Sequence, residues 1–72
     1  MARTGKIEGA IAQFQQALRI KSDYAEAHKN LGITLEKAGR VPEAIQHYEQ
    51  AVRLRPDLTA ARNALARLQA GQ

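Results

Sequence analysis

Two histidines, five glutamates and two aspartates carry the acid–base chemistry open to this 72-residue chain. His28 and His47 stand far apart along it. Neither is followed three or four residues later by an acid, the helical spacing that would make a metal pair. His28 reads as a bulky ring filling space between helices, and His47, on the flank of a helix, as solvated. Glu8, Glu26, Glu36, Glu43 and Glu49 are spread along the chain and suit solvated faces and first helical turns. Gly5, Gly9 and Gly39 read as turn and early-helix residues, because a phosphate loop needs a preceding strand and nothing alternates as a strand does. There is no cysteine, which removes disulfides and thiolate metal sites. The expectation is that the chain is not an enzyme, with no catalytic residue, no metal ligand and no cofactor.

The elements that hold these residues are helical. Alanine, leucine, glutamine, arginine, lysine and glutamate dominate, and all are good helix formers. The stretch AGRVPEAIQHYEQAVRLRPD, residues 38–57, is the clearest. Gly39 sits where a left-handed residue closes a helix. Pro42 fits a first turn, where its missing N–H has no helical partner, and Glu43 suits the positive end of the helix dipole. Ala44, Ile45, Tyr48, Ala51, Val52 and Leu54 recur at three- and four-residue steps as one apolar face. Pro56 stops the helix and Asp57 offers an N-cap for the next. Four helices are predicted, near 6–21, 24–38, 41–54 and 58–70.

The same order returns at an offset of 34. Gly5, Ala10, Ile11, Gln16, Ala17, Arg19, Asp23, Ala27 and Leu31 reappear as Gly39, Ala44, Ile45, Gln50, Ala51, Arg53, Asp57, Ala61 and Leu65. Phe14 answers to Tyr48 and Leu18 to Val52. A two-helix unit recurring at that offset marks one class of helical repeat.

Residues 25–58 resemble a tetratricopeptide repeat. His28, Leu31, Gly32, Leu35, Ala44, Tyr48, Ala51 and Pro56 fall on the family's pattern, with His28 where Trp is common and Leu35 where Tyr is common. The resemblance implies an all-α fold of antiparallel helical hairpins, an α-solenoid segment. The chain 1–72 then forms one unit: 5–24 a half repeat, 25–58 a complete repeat, 59–72 a half repeat. Its four helices run B–A–B–A, where A and B are the first and second helix of a repeat. Gly32 and Ala44 should let the two helices of that repeat approach closely, and Ala51 the next helix. The unmatched ends should expose part of Ile7, Ile11, Phe14 and Leu18, and of Leu65 and Leu68. Such ends permit a homo-oligomer through the terminal helices.

In this family the A helices line a concave face that receives a partner peptide or helix. The partner-binding positions expected from that resemblance are Glu26, Lys29, Asn30, Ile33 and Lys37 on the second helix, and Asn63 and Arg67 beside Ala64 on the fourth. Asn30 stands where arrays next to glycosyltransferases carry a ladder of asparagines, and its amide can both donate to and accept from an extended backbone. Lys29 and Arg67 could meet a carboxylate, Arg67 with a fork. The sub-type that clamps the carboxylate of chaperone tails is not matched: Ile33, Ala60 and Ala64 replace an Asn and two basic residues. The function implied is a protein–protein interaction scaffold. The alternative is a regulatory or substrate-docking segment of a larger enzyme such as a glycosyltransferase.

Composition bounds the partners. Eleven bases among seven acids give a net charge of +4, dispersed rather than gathered on one face as nucleic-acid binding requires. No apolar run approaches the length of a membrane span, and the first ten residues do not read as a signal peptide. A protein or peptide partner is expected, with no nucleic acid and no membrane, in a cytoplasmic setting.

Overall fold

A computed structural model of the chain describes residues 2–21 and 23–71, with side chains from residue 5 onward. The described residues form four α-helices: α1 (Ala2–Ile20), α2 (Ala25–Lys37), α3 (Val41–Leu54) and α4 (Thr59–Ala70). α2 and α3 pack most closely, α1 lies against α2, and α4 lies against α3. The Cα atoms fill a slab of 34 × 31 × 15 Å. This is the all-α repeat architecture that the recurrence in the sequence predicts.

The turn from α2 to α3 follows its sequence. Gly39 takes φ +79°, the left-handed region. Its N–H donates to the Glu36 carbonyl (3.0 Å), and the Arg40 N–H donates to the Leu35 carbonyl (2.9 Å). Those two bonds are the Schellman closure, which satisfies carbonyls the helix end leaves open. Pro42 lies in the first turn of α3. Arg40 grips Glu43 with two bonds, Nε to Oε1 at 2.8 Å and Nη2 to Oε2 at 2.7 Å.

Gly32 has the steric role expected of it. A Cβ on Gly32 would lie 2.8 Å from Tyr48 Cε1 and 3.0 Å from Cδ1 and Cζ. Only a bare Cα lets α2 meet that ring. Around this contact Leu31, Leu35, Ala44, Tyr48 and Ala51 are each at most 1% exposed.

Four local expectations are corrected. α1 begins at Ala2 rather than 6 and runs through Gly5, since glycine takes helical angles as readily as left-handed ones. Asp57 does not cap α4. Leu58 is the N-cap residue, and the Asp57 carboxylate, one residue too early, lies 3.8 Å from Arg55 Nε. Leu54 is 38% exposed, at the rim of the apolar face of α3. Ile11 is 3% exposed, because α1 turns it into the core, while Ile7, Phe14 and Leu18 are partly buried around it.

Candidate peptide-binding face

One stripe of α2 packs inward through Ala25, His28, Leu31, Gly32 and Leu35. Glu26, Lys29, Asn30, Ile33 and Lys37 occupy the other side at helical spacing. Glu26, Lys29 and Asn30 are half-buried, while Ile33 and Lys37 are exposed. On α4, Asn63 and Arg67 are exposed and Ala64 is half-buried. Adding 34 to Lys29, Asn30 and Ile33 gives Asn63, Ala64 and Arg67, so the two stripes are equivalent positions on the two helices.

Arg67 joins the stripes. Its guanidinium donates to Glu36 through Nη1 (3.0 Å to Oε2) and Nη2 (3.1 Å to Oε1). The Tyr48 hydroxyl donates to the same carboxylate at 2.8 Å. Glu36 on α2, Tyr48 on α3 and Arg67 on α4 thus form one polar junction over the buried Tyr48 ring. Arg67, and secondarily the Tyr48 hydroxyl, hold the Glu36 carboxyl below the usual carboxylate range, against the opposing effect of partial burial. Burial first, then the Glu36 hydrogen bond, drives the Tyr48 hydroxyl well above the ordinary phenol value.

The sequence pointed Arg67 and Lys29 at a partner's carboxylate. In the structure both meet acids of their own chain. Lys29 Nζ lies 3.0 Å from Glu26, which also faces Arg55 at 3.6 Å. Glu36 was absent from the expected face. The available signal was complementary charge at a separation just short of one repeat, which places the two side chains one helical turn out of register across neighbouring repeats.

The histidine reading changes too. His47 is half-buried rather than solvated, and its Nδ1 lies 3.1 Å from His28 Nδ1. The two rings join α2 to α3 at the end of the hairpin away from Gly39. Among the described residues no three of His, Cys, Asp and Glu converge on one point, and no helix is long and apolar enough to cross a membrane.

The family model for the TPR repeat matches residues 2–39, and that for the tetratricopeptide repeat matches residues 25–58. The chain belongs to the tetratricopeptide repeat family. No curated protein matches it. In the frame of the 25–58 match, α2 and α3 are the two helices of one tetratricopeptide repeat, and the Gly32–Tyr48 contact lies inside it. Tetratricopeptide repeats are protein–protein interaction modules and typically non-catalytic scaffolds.

Proposed function

We propose that the chain is an interaction scaffold whose α2 and α4 stripes together receive a partner peptide or helix. The register is B–A–B–A: a half repeat over 5–24, a whole repeat over 25–58 and a half repeat over 59–72. The observation that carries the reading is the Glu36–Arg67–Tyr48 junction. It fixes the two stripes side by side, so that Ile33, exposed at 37%, stands as an apolar contact between polar groups. Asn30 supplies the amide that pairs with backbone. Lys29, Lys37, Glu26 and Asn63 form the polar rim, and Arg67 holds the groove's width. The mixed, self-paired charge favours a partner read by its backbone and one apolar side chain over a purely acidic one.

Selection from a displayed peptide library, followed by amide chemical-shift mapping of a selected peptide, tests this. Shifts should cluster on 26–37 and 63–67. Asn30→Ala and Ile33→Asp should each weaken binding about tenfold, the effect of one well-placed contact. A footprint on α1 and the outer side of α3 would overturn the assignment.

The half-buried face of α1 supports a second element of the same proposal. Ala44, Tyr48 and Ala51 on α3 are buried, whereas their counterparts Ala10, Phe14 and Ala17 on α1 are only half-buried. A second copy presenting α4 to that face would make a homo-oligomer. Light scattering over a concentration series should show the mass rising, and a strict monomer at the highest concentrations would refute it.

A further inference from the structure

The polar junction has an apolar counterpart. Glu36, Tyr48 and Arg67 meet across α2, α3 and α4. Subtracting the 34-residue offset from Tyr48 and Arg67 gives Phe14 and Ile33, and adding it to Glu36 gives Ala70. All three members are replaced together. The ring has lost its hydroxyl, the guanidinium has become an aliphatic chain and the carboxylate a methyl group. Replacing one member alone would leave another's charge or hydroxyl without its partner. Replacing all three strands none.

Ala70, Phe14 and Ile33 do not meet within one molecule, because α4 lies against α3 while α1 lies against α2. They would meet if α4 of one copy stood beside α1 of the next as α2 stands beside α3. Among the described residues that place is open. Phe14 is half-buried, whereas Tyr48 is 1% exposed. Ile20 and Tyr24 are 82% and 47% exposed, against 38% and 9% for their equivalents Leu54 and Leu58.

We propose that α4 of one copy docks on α1 of the next, head to tail, with Ala70 of the first closing an apolar junction on Phe14 and Ile33 of the second. Resting on the second-copy reading above, this assignment adds a register and a polarity. The donating face on α4 differs from the accepting face on α1 and α2, so each copy offers one of each and copies add in strings. An apolar helix of another protein could fill the same face, but a second copy supplies the missing third member of the set. The two junctions also reject each other's members. A carboxylate at the place of Ala70 would lie over Phe14 and Ile33 with neither hydroxyl nor guanidinium to meet it, and such mismatches are what select one partner over another. The remaining polar groups at the joint are compatible. Arg62 of one copy and Gln13 of the next take the places of His28 and His47, whose Nδ1 atoms are 3.1 Å apart. A guanidinium can donate to an amide oxygen there.

Two variants and their mixture test the register, with light scattering over a concentration series. Ala70→Glu adds a carboxylate to the donating face. The double variant Phe14→Tyr, Ile33→Arg adds a hydroxyl and a guanidinium to the accepting face. All three positions are exposed or half-buried, and circular dichroism checks that each variant keeps its helices. Each variant alone should associate about tenfold more weakly than wild type, because its joint buries a polar group without a partner. Mixed one to one, the two should regain association. Ala70→Glu docking on the double variant rebuilds the polar junction, and the reverse joint is wild type. If wild type associates and neither variant weakens it, or if the mixture does no better than its parts, the register is overturned while the second-copy reading stands. A symmetric pairing of two α1 faces would be indifferent to Ala70→Glu and would overturn it in the same way. A wild type that stays monomeric throughout removes the second-copy reading and the register together.

Discussion

Replacing Gly32 by alanine should destabilise the fold, although alanine is the better helix former. The new Cβ would sit 2.8 Å from Tyr48 Cε1 and 3.0 Å from two further ring carbons, against the ~3.5–4.0 Å of a relaxed carbon contact. The ring cannot swing aside. It is 1% exposed, and its hydroxyl is tied to Glu36 at 2.8 Å. Overpacking of this kind costs about 1–3 kcal/mol, while the helical preference of alanine over glycine returns about 1 kcal/mol. The net loss is about 1 kcal/mol, and for a domain of this size that lowers Tm by about 4–8 °C. Gly9→Ala provides the control. Gly9 lies inside α1, where nothing stands within 4 Å of an added Cβ, so only the propensity gain remains and Tm should rise. The propensity terms nearly cancel between the two variants, leaving the contact with Tyr48. Thermal melts followed by circular dichroism suffice. If Gly32→Ala stabilises as much as Gly9→Ala, the close approach of α2 to the Tyr48 ring is not what the glycine provides.

Two further outcomes follow from named contacts. Gly39→Ala should cost about 1–2 kcal/mol, because φ +79° presses a Cβ against the following carbonyl; a denaturant melt unchanged from wild type would contradict the left-handed closure. Glu36 is held below the usual carboxylate range by Arg67 and Tyr48. Its contribution is therefore present above the ordinary glutamate value and lost as pH falls through the folded one. Glu36→Gln should flatten the acid limb of the stability curve, and an acid limb identical to wild type would remove Glu36 from it.

The features legible in the sequence were the ones written into consecutive residues. Gly39 and Pro42 mark a turn whatever lies elsewhere, and the resemblance to the repeat family marks Gly32 as a point where two helices approach closely. The misses were side-chain choices made across helices. His28 and His47 read as unrelated because the Gly39 turn and most of two helices separate them, and only the antiparallel return of α3 sets their nitrogens face to face. The Arg67–Glu36 pair was not legible because no local rule links the two residues; that contact needs α4 to settle beside α2. Asp57 had the right chemistry for a cap and the wrong position by one residue, a precision that composition does not carry.

The bare Cα at Gly32 also bears on the curvature of any longer stack. α4 carries Ala66 at the position equivalent to Gly32, and Phe14 in α1 is equivalent to Tyr48. An aromatic helix docking on α4 would meet a methyl group where α3 meets none. It must stand off further than α3 stands from α2, or tilt. Successive hairpins joined in this way would not share one spacing, and the solenoid would open at α4. A single side chain can therefore set where the concave surface widens.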